Sequence, residues 1–115
     1  MGVALFYLGD FAAALPYLAR GSAMYEPERH HALIYEHGGG DTGVAQRTHQ
    51  GLALWTLGYP DQGRRCVEHG LETAKSLSRH PFSVAFGYYF YAWFCKLCGD
   101  ESAVIEAADV AIQIL

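Results

Sequence analysis

The sequence predicts an all-α protein made of antiparallel helical hairpins, and two observations carry that expectation. The first is a repeated stop signal. A Leu or Cys followed by Gly and a turn residue occurs at Leu8-Gly9-Asp10, Leu57-Gly58-Tyr59-Pro60-Asp61 and Cys98-Gly99-Asp100. Gly ends a helix readily, and Asp or Pro just beyond it starts the next one. The second is a fixed spacing of small residues after each Gly. Five residues on stands a small or β-branched residue (Ala14, Gly63, Val104), and twelve on another small one (Gly21, Gly70, Ala111). These two signals define three copies of one helix–turn–helix unit, over residues 1–25, 43–79 and 80–115 of a single domain, with a connector over 26–42.

Taken in order, Gly2 to Leu8 reads as the second half of a helix. Phe11 to Met24 is its partner, with Phe11, Ala14, Leu15 and Leu18 on one face. Pro16 lies inside this run, where a missing amide and a bulky ring predict a bend near Ala12. In the connector, Glu26-Pro27 opens a short helix that Arg29 to Glu36 continues and Gly38-Gly39-Gly40 ends. Asp41 or Thr42 then caps the next helix, Gly43 to Leu57, whose stripe is Val44, Thr48, Gly51 or Leu52, and Trp55. Pro60 starts a helix to about Ser78 that buries Gly63, Val67, Gly70, Leu71, Ala74 and Leu77. Gly63 and Gly70 let the two backbones of this central hairpin approach closely. Phe82 to Cys98 is apolar all round, so it is covered on more than one side. Ser102 to Leu115 turns Val104, Ala107, Ala108, Ala111, Ile112 and Leu115 inward. About six helices and the short connector helix are expected.

Composition narrows the function classes. Of 115 residues, 51% are hydrophobic and 17% charged, which excludes a disordered chain. Lys+Arg 8 against Asp+Glu 12, with only Arg64-Arg65 adjacent, gives none of the clustered basic footprint that nucleic acids require. The most apolar run, Phe82 to Phe94, is too short to span a membrane, and no basic segment precedes the apolar Met1 to Leu8 as in a signal peptide. Three cysteines in such a chain read as reduced, cytoplasmic thiols.

Each unit resembles a tetratricopeptide repeat, in which a Gly ends the first helix and small residues let the second pack. That repeat has a period of about 34 residues; here Gly58 to Gly99 spans 41 residues and Gly9 to Gly58 spans 49. Arg47 and Gln50 occupy places where the standard first helix carries an aromatic residue and Leu, although Gly51 matches. A closer resemblance is to the helical repeat region carboxy-terminal to predicted signalling ATPases, which accompany adenylate-cyclase domains or maltose-type transcriptional activators. It is carried by Tyr25-Glu26-Pro27-Glu28-Arg29-His30-His31, Gly40-Asp41-Thr42-Gly43-Val44, Leu54 to Gln62 and His80-Pro81-Phe82-Ser83. The resemblance implies a tetratricopeptide-like superhelical array serving bacterial signalling as a sensor or scaffold. The chain has no phosphate-loop motif, and no catalytic residue carries over.

Several constellations remain. His30, His31 and His37, with Asp41, offer imidazoles and a carboxylate suited to a divalent metal, but their spacing matches no zinc signature, and ordinary hydrogen bonding explains them better. Gly38-Gly39-Gly40 precedes a helix amino end, yet lacks a Lys and is followed by the anionic Asp41, so it reads as a hinge or helix stop. Cys95 and Cys98 have redox spacing but close a helix at its carboxyl end, where the dipole disfavours thiolate; they and Cys66 read as buried thiols. The aromatic helix is the richest feature. Phe86, Tyr88, Tyr89, Tyr91, Trp93 and Phe94, with Ile112 and Leu115 of the last helix, are the candidate interface or groove residues. The sequence thus points to a non-catalytic scaffold that binds a protein partner or forms a homodimer, without cofactor. A small-molecule sensor closed by the connector is the alternative, and a metal-dependent enzyme built on the His-rich connector stands behind both.

Overall fold

The computed structural model describes residues 1–26, 41–77 and 80–114. Six helices and no strand occur among the described residues: α1 (Gly2–Tyr7), α2 (Phe11–Met24), α3 (Thr42–Thr56), α4 (Pro60–Ser76), α5 (Pro81–Leu97) and α6 (Glu101–Ile114). The expected connector helix from Glu26 lies outside the described residues.

Each hairpin is closed by the same backbone motif. Gly9, Gly58 and Gly99 have φ of 86°, 98° and 77°. Their amides donate to the carbonyls of Phe6, Trp55 and Lys96, and the amides one residue on donate to Leu5, Leu54 and Cys95. This is the Schellman closure, which satisfies carbonyls that a helix end would leave unpaired. A Cβ added at Gly58 meets nothing within 4 Å, so the cost of Gly58→Ala is conformational alone. Urea denaturation of that variant should show a loss of about 1 kcal/mol; an unchanged midpoint would contradict the left-handed turn.

The second helices start on equally local signals. Asp10 accepts the Ala13 amide and Asp100 the Ala103 amide, each at 3.2 Å, while Pro60 occupies the first turn of α4. Helix α2 runs unbroken through Pro16. Ala12, whose carbonyl Pro16 cannot bond, is exposed, so water can satisfy that carbonyl.

Contacts along the helices fix their directions. Between α3 and α4, Gly51 approaches Gly63 and Thr48 approaches Gly70, so the pair is antiparallel. Between α4 and α5, Gly63 meets Phe94 and Ala74 meets Gly87, antiparallel again. Between α3 and α5, first helices of successive hairpins, the order is parallel: Asp41 bonds Ser83, Val44 meets Gly87, and His49 packs on Phe90. Helix α3 packs on both α1 and α2, and α5 on both α3 and α4.

The core lies along these first helices. Phe6, Ala14, Leu18, Leu52, Ala53, Val67, Phe90 and Phe94 form one buried cluster drawn from α1 to α5. Removing the larger of these side chains from water stabilises by about 1.5–3 kcal/mol each. Helix α5, apolar all round, is covered by α3, α4 and α6, as its composition predicted. The last helix departs from expectation. Its apolar stripe is expected inward, but among the described residues of that stripe only Ala107 is buried, and Ile112 is 70% exposed. Helical periodicity identifies a face without saying whether a neighbour covers it. Leu115 lies outside the described residues.

Candidate functional site

The site begins with the side of α5 turned away from α4. Phe82, Ala85, Phe86, Tyr89 and Ala92 of α5 and Ala108, Ala111 and Ile112 of α6 line a groove of about 330 Å³. Its walls are almost wholly apolar and its rim is wet: Phe82, Tyr89 and Ile112 are 48%, 59% and 70% exposed. A second groove of about 370 Å³ adjoins it, sharing Tyr89, Ala92 and Ala108 and adding Trp93, Lys96 and Val104. The aromatic wall is held by ring packing. Phe82 stacks on Phe86 with centroids 6.0 Å apart, and Tyr89 meets Phe90 and Trp93 edge-on at 5.1 and 6.5 Å. The alanines leave the floor open.

Of the candidate residues, the structure brings Phe86, Tyr89, Trp93 and Ile112 together along these grooves. It does not bring Tyr88, Tyr91 or Phe94 there. Tyr88 and Tyr91 face the opposite side, over Leu71, Lys75, Glu106 and Ala107, with the Lys75 ammonium 5.8 Å from the Tyr88 ring. Phe94 is fully buried beneath the Arg64 guanidinium, 5.4 Å from its ring centre. An all-apolar helix gives no phase from which to divide its faces, and for that reason the sequence groups these three with the rest. The groove also contains Ala85 and Ala92, which sequence reasoning missed; their spacing of seven on one helix face was the available signal.

A buried polar set ties the first helices together. Asp41 is fully buried; its carboxylate accepts the Tyr25 hydroxyl at 2.6 Å and the amides of Gly43 and Val44 at 2.9 and 3.1 Å. Its own amide donates to Ser83 Oγ at 3.1 Å, and Ser83 Oγ lies 2.7 Å from His80 Nδ1. Burial, reinforced by the bond to Asp41, pushes the Tyr25 hydroxyl well above its usual range. The Arg47 guanidinium lies 5.3 Å from the Tyr25 ring centre and bonds Thr73. Of the two residues expected to cap α3, Asp41 is therefore the one that does. His30, His31 and His37 lie outside the described residues. Among the described residues no group of three His, Cys, Asp or Glu side chains is placed to hold a metal ion.

His49 is the polar residue least visible in the sequence. It is 2% exposed, wedged between Phe6 and Phe90 at 5.1 and 4.5 Å. Its Nδ1 lies 2.7 Å from the Ala45 carbonyl, which can only accept, so Nδ1 carries the proton and Nε2 receives the Tyr7 hydroxyl at 2.9 Å. Burial lowers its pKa below the usual 6.5. The unfolded chain therefore binds a proton that the folded one resists, so stability is full above pH 6.5 and falls as pH drops below it. Thermal melts at pH 7.5 and 5 should differ more in the native protein than in His49→Gln. Equal pH dependence in both would rule out His49 as the source.

The cysteines correct one expectation in part. Cys95 is buried, and that burial raises its pKa, but Cys66 is half-buried and Cys98 exposed. The α5 carboxyl end, where Cys98 caps the helix, turns that side chain outward. No helix among the described residues is long and apolar enough to cross a membrane. Comparison with protein-family models, with curated proteins and with solved structures found no match for the chain.

Proposed function

We propose that the chain is a non-catalytic, tetratricopeptide-like interaction module that acts as a scaffold and associates with itself. The observation that carries this reading is the apolar groove between α5 and α6, with Phe82, Tyr89 and Ile112 on its wet rim. Exposed aromatic and aliphatic side chains gathered around a groove are the makings of an interface core. Helices α3 and α5, parallel to each other and each packed on both helices of the hairpin before, support a superhelical repeat array. The resemblance to the helical region of signalling ATPases supplies the setting, bacterial signalling in the cytoplasm, which suits free thiols.

Light scattering on a size-exclusion column across a concentration series tests the proposal. The expected result is a mass of two or more chains, reduced towards one by Ile112→Asp. A single-chain mass at every concentration would overturn it. A second reading has one observation in its favour: at about 330 Å³ the groove reaches the small end of ligand-pocket volumes. As a small-molecule sensor the chain would remain monomeric and melt at a higher temperature when an apolar ligand is added.

A further inference from the structure

At the carboxyl ends of α1, α3 and α5 lies a separate pocket, and we infer that it binds a small organic cation with a quaternary-ammonium head. All three hairpins build it. Tyr7, Thr56 and Leu97, the last residues of these helices, meet around a space of about 290 Å³. The aromatic rings of Phe6, Phe11 and Trp93 complete most of its wall. It shares no residue with the groove that carries the proposed self-association, and only Trp93 with the groove beside that one.

The rings form a cage. Phe6 is buried and stands nearly perpendicular to Tyr7, Phe11 and Trp93, at 80°, 74° and 79°, with centroids 5.0, 5.2 and 6.2 Å away. Tyr7 is 59% exposed, yet its hydroxyl is tied to His49 Nε2 at 2.9 Å, which fixes the ring as a wall. Aromatic faces attract cations through their quadrupole. A quaternary head has no N–H to satisfy, so ring walls without acceptors leave nothing of it unpaired. The charge around the pocket favours a cation over a neutral guest. The dipoles of α3 and α5 place partial negative charge at Thr56 and Leu97. Within three residues of the closing glycines stand Asp10, Asp61, Asp100 and Glu101, against one basic residue, Lys96.

Calorimetric titration with choline, and with its neutral isostere in which tert-butyl replaces trimethylammonium, tests the site. Choline should bind, and the isostere about tenfold more weakly. Thr56→Lys alters an exposed residue and leaves every ring in place; it should weaken choline about tenfold and leave the isostere unaffected. Trp93→Leu keeps apolar bulk without the ring and should weaken choline by a similar factor, with a circular dichroism melt to show that it folds. Ile112→Asp, which alters the self-association groove, should bind choline as the native protein does. Equal affinity for choline and the isostere would overturn the inference, as would a native protein that takes up neither. Unchanged choline binding in Thr56→Lys would also overturn it. Loss of binding in Ile112→Asp would move the cation to the α5–α6 groove and remove it from this pocket.

Discussion

Replacing Gly51 with alanine is expected to destabilise the protein by about 3 kcal/mol, the upper part of the range for overpacking a close contact. A Cβ at Gly51 would lie 2.6 Å from the Gly63 carbonyl oxygen and 3.0 Å from the Val67 amide nitrogen, besides striking the Val67 side chain. Two of these obstacles are backbone, so no rotamer change relieves them. Helix α4 must move outward, and that movement would pull Val67 from Leu52 and the rest of the cluster. The reciprocal change, Gly63→Ala, meets the Gly51 carbonyl oxygen at 2.6 Å and the Trp55 amide at 3.2 Å, and should cost a similar amount. Intrinsic helix propensity opposes this outcome, because alanine favours a helix over glycine by about 1 kcal/mol. Chemical denaturation that found either variant more stable would mean that the α3–α4 crossing is looser than described.

The second large effect belongs to Asp41. Asp41→Ala removes the acceptor for two α3 amides and for the buried Tyr25 hydroxyl. Loss of a cap costs about 1 kcal/mol, and each buried donor left unpaired adds about 1–3 kcal/mol. The total is about 3 kcal/mol once water reaches part of the opened site. Asp41→Asn keeps an acceptor oxygen and should recover much of the loss. Thermal melts of the two variants separate capping from charge: equal, small losses would indicate that the site relaxes around a missing carboxylate. Tyr25→Phe should add little to Asp41→Ala, because both remove the same bond.

Much of this architecture was legible because its signals are local. Gly9, Gly58 and Gly99 mark the three turns because only glycine adopts their positive φ cheaply. The small residues Gly63 and Gly70 mark points of close approach in the sequence, and both sit against α3 backbone atoms. The hidden features depend on partners distant in sequence. Asp41 was visible as a cap, but its burial depends on Tyr25 and Ser83 from other hairpins. His49 reads as one more polar residue until Phe6 and Phe90 close on it. Tyr88, Tyr89 and Tyr91 look alike in the sequence, yet only Tyr89 reaches the groove. Ile112 illustrates the converse: periodicity puts it on the apolar stripe of α6, yet it is exposed, because no described helix fills the space beside α5 and α6.

Hydrogen–deuterium exchange at low and high protein concentration tests most directly that this face receives another chain. Amides of α5 and α6 around Ala85, Ala108 and Ile112 should exchange more slowly as concentration rises. The central α3–α4 hairpin should not change. Exchange independent of concentration across α5 and α6 would contradict the account.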